Sequence, residues 1–347
     1  VTSVVTGTSV KDAAVRPKLT LVLDAGGTML KGAVLRNGKR VPGIQLKQPS
    51  RAQDDAAHIV AGFAHACIDL LEQYLSQEQG LEGRLNAGRL EGLQNERLKV
   101  AHPIGIGFAF PGPFDYKEGI ALLQGVGKYD ALYGQSVRSL LKQQLLSLKT
   151  AFPAPALNAL AEADIRFGND ALMFGAGAAL RYPCERLICL TLGTGLGSAF
   201  IDRGRVVAGV QGVPASGMLY AQTFEGAPVD DQFGRRGLLQ LAASQGLLQP
   251  DMDVAELAAA AAAGDEPCLA LFHSYGERLG SMLLPYVMDF RPDRILLGGQ
   301  ISNSWELWRA ALQRILAPSG VSLVQLPDTM SCVYQGIHRL FEEDEQD

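Results

Sequence analysis

The feature that most constrains this chain is a strand-turn-strand unit that occurs twice. Residues 19–35 run as an apolar strand into Asp24, pass through Ala25, Gly26, Gly27 and Thr28, and return as a second apolar strand that ends at Asn37-Gly38. Residues 187–204 repeat the plan, with Gly193, Thr194, Gly195 and Gly197 in the turn and Gly204 at the end. The spacing is constant: Gly27 and Gly193, Thr28 and Thr194, Ala33 and Ala199, and Gly38 and Gly204 each lie 166 positions apart. Two matching hairpins half a chain apart point to duplicated α/β domains whose glycine turns face one another across a cleft. The alternative is two unrelated glycine-rich hairpins.

Glycine lacks the Cβ that would hold a ligand away, so N–H groups in such turns can approach phosphate oxygens, and Asp24 can hold a hydrated magnesium ion. An ordinary tight turn, with Asp24 accepting local hydrogen bonds, uses the same residues. Length and charge narrow the partners. At 347 residues the chain has room for two domains, each with a sizeable core. The net charge of −5, with no dense Lys/Arg block, argues against nucleic acid or an anionic membrane surface and for a small molecule. No apolar run approaches a membrane span. Residues 1–17 read as a loose tail rather than a signal peptide. Five scattered cysteines (Cys67, Cys184, Cys189, Cys268, Cys332) fit a reduced, cytoplasmic compartment, and the five dispersed histidines offer no catalytic grouping.

Along the chain, a loop with Pro42 and Pro49 precedes a helix expected over 52–75, and 77–97 reads as an exposed polar insertion. A strand over 104–110 breaks at Pro111-Gly112-Pro113, a stiff turn that leaves Gly112 and Asp115 as candidates for substrate contact. Residues 119–134 bring Lys128, Tyr129, Asp130 and Tyr133 between glycines, a mixture that suits a polyol ligand and a surface loop equally. A helix over 137–148 follows. Asn169-Asp170 then opens a small-residue helix over 171–180, where either residue serves as a cap or as a reactive group. Residues 212–237 read as irregular and offer Glu225, Asp230, Asp231, Arg235 and Arg236. Helices are expected over 254–263 and 268–288. A short strand over 294–297 runs into Gly298-Gly299, with a helix from about 304 and a closing helix over 331–343.

In this order the pieces resemble the ROK family (repressors, open reading frames and kinases) within the superfamily of actin-like ATP-binding folds. The likeness covers nearly the whole chain from Leu19. It rests on Leu23-Asp24-Ala25-Gly26-Gly27-Thr28, Pro111-Gly112-Pro113-Phe114-Asp115, Gly168-Asn169-Asp170-Ala171, Thr191-Leu192-Gly193-Thr194-Gly195-Leu196-Gly197, Ala262-Ala263-Gly264-Asp265 and Leu297-Gly298-Gly299-Gln300-Ile301-Ser302. The resemblance implies two actin-like (ribonuclease H-like) α/β domains around a nucleotide cleft: residues 18–168, residues 169–330, and a helix in 331–347 that packs back on the first domain. It implies an ATP- and Mg2+-dependent sugar kinase, acting as a homodimer, or a non-catalytic sugar- or nucleotide-binding regulator of the same ancestry. By position it makes Asp24, Gly26, Gly27 and Thr28 the first phosphate motif and Gly193, Thr194, Gly195 and Gly197 the second. Gly298 and Gly299 fall near the adenosine, Asp170 is the general base and Asn169 a sugar ligand. About 18 residues before the first hairpin are too few for the DNA-binding domain of the family's repressors.

The sequence departs from the family after the second hairpin. Where many members carry Glu-x-Gly-His and a cysteine cluster for zinc, residues 213–220 read Val-Pro-Ala-Ser-Gly-Met-Leu-Tyr, with no histidine between His102 and His273 and no cysteine between Cys189 and Cys268. No zinc is therefore expected. The sugar contacts of that motif pass to Glu225, Asp230 or Asp231, with Glu225 taken as the sugar ligand.

Overall fold

The computed structural model describes residues 17–85, 103–151 and 155–342. The expected tail and most of the 77–97 insertion lie outside them. The first part of the chain contains β1 (Leu19–Ala25), β2 (Met29–Arg36), β3 (Lys39–Pro49), α1 (Ala56–Leu85), β4 (Ile104–Phe110), the short pair β5 (Phe114–Asp115) and β6 (Ile120–Ala121), α2 (Val137–Ala151), α3 (Pro155–Ala161) and β7 (Asp164–Asn169). There follow α4 (Asp170–Ala178), β8 (Arg186–Leu192), β9 (Leu196–Asp202), β10 (Arg205–Val206), the pair β11 (Thr223–Phe224) and β12 (Ala227–Pro228), α5 (Val229–Phe233) and α6 (Arg235–Ser244). The chain continues through α7 (Val254–Ala262), α8 (Glu266–Phe290), β13 (Arg294–Gly298), α9 (Trp305–Leu316), β14 (Ser322–Gln325) and α10 (Thr329–Arg339).

The strands build two five-stranded sheets of one design, ordered β3-β2-β1-β4-β7 and β10-β9-β8-β13-β14. In each, an antiparallel hairpin (β1 with β2, β8 with β9) is extended by two strands in parallel. The duplication read from the constant spacing is thus present in the fold. Alternation along the strands assigns the faces. Leu21 and Leu23 join Phe63, Leu70 and Phe108 beneath α1, whereas Val22 belongs to the core between the sheets. Likewise Ile188 and Leu190 join Leu279, Leu283 and Trp308 beneath α8 and α9, whereas Leu187 and Cys189 face inward.

Two helices fill the inner layer. α4 packs on β8 and β9, α10 packs on β1 and β4, and the pair meets at Gly177 and Gly336. A Cβ on Gly177 would collide with the Cys332 carbonyl, and one on Gly336 with the Met173 carbonyl, so only glycine lets these backbones touch. β7 belongs to the first sheet and runs without a loop into α4, which lies on the second. Asn169 and Asp170 therefore stand where the chain passes from one sheet to the other.

Three readings of the sequence change. The proline-bearing loop is β3, an edge strand, where a residue without an N–H donor is tolerated on the unpaired side. The helix expected to end near 75 continues to Leu85, through Gln, Glu and Leu residues of good helix propensity. Residues 212–237 contain α5 and the start of α6, each too short to show a period, with Gly234 between them. Among the described residues no helix is long and apolar enough to cross a membrane.

Candidate active site

The first turn is four residues long, closed by the Ala25–Leu30 pair. Its carbonyls are tied back into the protein. Gly26 O accepts from the Tyr129 hydroxyl (3.0 Å), Gly27 O from Ser50 Oγ (2.8 Å) and Thr28 O from Ser50 N–H (3.0 Å). Gly26 N–H closes the turn on Met29 O (3.1 Å), and Gly27 and Thr28 form its exposed corner. The N–H groups there are what the turn offers to an anion. Behind the corner, Asp24 faces Lys31 across the hairpin, Oδ2 to Nζ 3.8 Å, with its side chain 17% exposed. Burial pushes the Asp24 carboxyl up to about 6, Lys31 pulls it down, and the nearby Asp170 carboxylate adds to the rise.

The second turn is one residue shorter, Gly193 to Gly195 between the paired Leu192 and Leu196. Gly193 N–H bonds Gly195 O (3.0 Å), and Gly193 O accepts from Arg235 N–H (2.8 Å) at the start of α6. Thr194 is its exposed tip. Asp230 Oδ1 accepts from Leu196 N–H (2.8 Å) and lies so near Gly195 that a Cβ there would strike it. A Cβ on Gly197 would sit 2.7 Å from the Ala171 methyl, so this hairpin rests directly on the first turn of α4.

At that helix start the capping role falls to Asn169. Its Oδ1 accepts from Ala171 N–H (3.0 Å) and Leu172 N–H (3.1 Å), and its Nδ2 donates to the Tyr116 hydroxyl (3.1 Å), which in turn donates to Phe110 O (3.1 Å). One Asn169 N–H is left for a ligand. Gly112 lies beside this pair, with space for a Cβ ending 3.2 Å from the Tyr116 oxygen. Asp170 itself is exposed to solvent, and the protein around it still raises its carboxyl. Desolvation is the largest influence on its carboxyl and raises it. Lys128 and the Ala171 N–H pull it down, and Asp230 pushes it up. Lys128 lays its stem across Gly27, its Cδ 3.2 Å from where a Cβ would be. The charges of Lys128, which touches the first turn, and of Asp230, which touches the second, thus both act on the Asp170 carboxyl.

The other expected residues are placed differently. Asp115 Oδ1 accepts from Glu118 N–H (3.0 Å) within its own hairpin turn. Glu225, at the tip between β11 and β12, pairs with Arg278 (2.5 Å), and Asp231 pairs with Arg236. Of the three acids left open by the sequence, Asp230 is the one whose charge acts on the Asp170 carboxyl. Gly298 and Gly299 end β13 against Phe174, Leu192 and Thr329, and Gly299 N–H donates to Thr329 Oγ1 (3.0 Å) at a φ of 92°. Sequence reasoning passed over Lys31 and Tyr116 as site residues and left Lys128 and Tyr129 open between a polyol contact and a surface loop. Lys31 was within reach, because hairpin register sets it opposite Asp24. Tyr116 comes from the turn between β5 and β6 with no local signal, and only the fold chose between the two readings of Lys128 and Tyr129. Among the described residues no group of three or more His, Cys, Asp or Glu side chains is gathered to hold a metal.

Comparison with known proteins finds chains of the same fold. The family model described as ROK family matches residues 154–325. The ROK hexokinase of Thermus thermophilus superposes with a TM-score of 0.64 at 20% identity, over 94% of this chain and 100% of that one. A ROK family glucokinase from Streptomyces griseus, solved with glucose and AMPPNP, gives 0.62 at 17% identity, over 93% and 98%. A ROK family transcriptional regulator, a homolog of the E. coli MLC protein, gives 0.60 at 15% identity, over 93% and 80%. No curated protein sequence matches the chain.

Proposed function

We propose that the chain, whose residues 154–325 match the ROK family model, is a sugar kinase that moves the terminal phosphoryl group of ATP to a hydroxyl of a hexose or related sugar. The observation that carries this reading is that the second glycine hairpin rests on the first turn of the helix Asp170 opens, while Lys128, whose charge acts on Asp170, lies across the first. Phosphoryl transfer asks the protein for alignment and charge neutralisation more than for covalent chemistry. In this reading the corner N–H groups of Gly27 and Thr28, with Gly193, Thr194, Gly195 and Gly197, hold the phosphates, and Gly298 and Gly299 border the adenosine. The free Asn169 N–H orients the sugar, with Gly112, Asp115 and Glu225 or Asp230 as further contacts. Asp170 takes the hydroxyl proton while the sugar oxygen bonds to phosphorus and the bond to ADP breaks, its electron pair leaving with ADP.

Asp24 fits magnesium. It is a hard oxygen donor held close to Asp170, and such a cation takes one or two carboxylates and completes its shell with water and phosphate oxygens. Magnesium bound there would supply neutralisation of phosphate charge. The reading carries with it a cytoplasmic homodimer acting on small molecules rather than on nucleic acid or membrane.

The test is ADP release with ATP against a panel of sugars, for wild type and Asp170→Asn. Loss of a general base lowers turnover on the order of a hundredfold or more. Asparagine has the same shape, and Asn169 already caps the helix, so melting temperature and ATP affinity stay near wild type. Unchanged turnover removes Asp170 from the mechanism. A wild type that binds a sugar and releases no ADP with any of the panel is instead a binding protein.

A further inference from the structure

We infer that Lys128 is a catalytic residue, whose ammonium group neutralises the phosphoryl group as it passes from the first glycine turn to the acceptor hydroxyl at Asp170. The inference rests on the kinase reading above and adds a residue to it. Three observations converge. The Lys128 stem lies over Gly27, with Cδ, Cγ and Cβ all within 4.0 Å of where a side chain at 27 would begin, so the absence of one makes room for it. Its charge is the strongest single attraction felt by the Asp170 carboxylate. And among the described residues no ion pair engages it, so its charge is not already matched by a dedicated protein partner.

The backbone that presents Lys128 is held in an uncommon shape. Tyr129 has a φ of 59°, the left-handed region that a bulky residue enters only when its surroundings force it. Those surroundings are explicit. The Tyr129 ring is fully buried against Phe63 and Phe110, its N–H bonds Ala52 O (2.6 Å), and its hydroxyl bonds Gly26 O (3.0 Å) in the first turn itself. On the other side, Asp130 accepts from the N–H groups of Val126 (3.3 Å) and Gly127 (3.2 Å). The residue before Tyr129 is therefore locked to the phosphate turn by a hydrogen bond from its neighbour, while among the described residues its own amine is spent on none. A cation fixed between donor phosphates and acceptor base stabilises charge that is largest in the transition state. Lys128 gives up no proton and forms no bond. The hydroxyl proton goes to Asp170 and the bonding pair goes to ADP.

The experiment compares Lys128→Met and Lys128→Arg with wild type in two assays. In the first, sugar-dependent ADP release, Lys128→Met lowers kcat about a hundredfold with a smaller change in the sugar KM, and Lys128→Arg restores at least a tenth of wild-type turnover. The acid limb of the kcat profile also moves to higher pH in Lys128→Met, because the charge that holds the Asp170 carboxyl down is gone. In the second, calorimetric binding of tripolyphosphate at fixed ionic strength, Lys128→Met weakens affinity about tenfold or more. Turnover and tripolyphosphate affinity both within threefold of wild type overturn the inference and leave the kinase reading standing. A wild type that turns over no sugar sinks the kinase reading. The role of Lys128 in holding the phosphate then stands or falls on the tripolyphosphate result, which does not depend on turnover. Melting temperatures of both variants near wild type exclude misfolding as the cause of a loss.

Discussion

At the end of β1 Asp24 faces Lys31 across the hairpin, and at the end of β8 the matching pair is Thr191 and Gly197. The constant spacing of 166 residues aligns Asp24 with Leu190 instead, because the second turn is one residue shorter and shifts the register of its first strand. The two hairpins keep the same place in two sheets of the same order, and their charges differ. The first carries its own carboxylate and ammonium. The second is neutral: the Thr191 hydroxyl occupies the space a side chain at 197 would need, and the nearby carboxylate, Asp230, is imported from α5. Duplication preserved the backbone that makes a glycine turn and left the chemistry free to diverge between the copies.

The largest expected effect tests that division of labour. Asp24→Asn should lower sugar-dependent ADP release about a hundredfold or more, the loss of several kcal/mol of charge stabilisation, whereas Thr191→Val at the matching position should stay within a few-fold of wild type. Equal losses would mean that the hairpins share the work.

Next in size is a difference in how much each turn tolerates. Gly195→Ala forces a methyl onto Asp230 and should cost about 1–3 kcal/mol in chemical denaturation. Gly27→Ala meets only the flexible Lys128 stem at 3.2 Å and should unfold within about 0.5 kcal/mol of wild type. The comparison breaks if the two variants unfold alike.

The last effect is on stability against pH. The Asp24 carboxyl is raised on folding from 3.8 to about 6, so above pH 6 the folded protein bears the cost of ionising it. That cost is relieved as pH falls through 6 toward 4, where the folded chain binds a proton that the unfolded chain does not yet hold. Asp24→Asn should therefore be more stable than wild type at pH 7.5, by on the order of 3 kcal/mol at most, with the advantage fading near pH 4. Thr191→Val should show no such trend. Denaturation of the three ligand-free proteins at both pH values decides it.

What the sequence determined by itself was local chemistry. The strand-turn-strand units, the glycine corners, the Asn169-Asp170 helix start and the closing helix all follow from residue types within a few positions of one another, and all are present in the fold. Edge strand β3 escaped because its prolines and charges mimic a loop, and α5 because a helix of five residues shows no period. The tertiary structure alone decided which distant groups meet. It laid Lys128 across Gly27, set Tyr116 against Asn169, gave Glu225 to Arg278 and Asp231 to Arg236, and brought Asp230 to Asp170. Such encounters depend on the register of two hairpins and the glycine contact of α4 with α10, which fix the spacing between sheets, and no composition or period along the chain encodes that spacing.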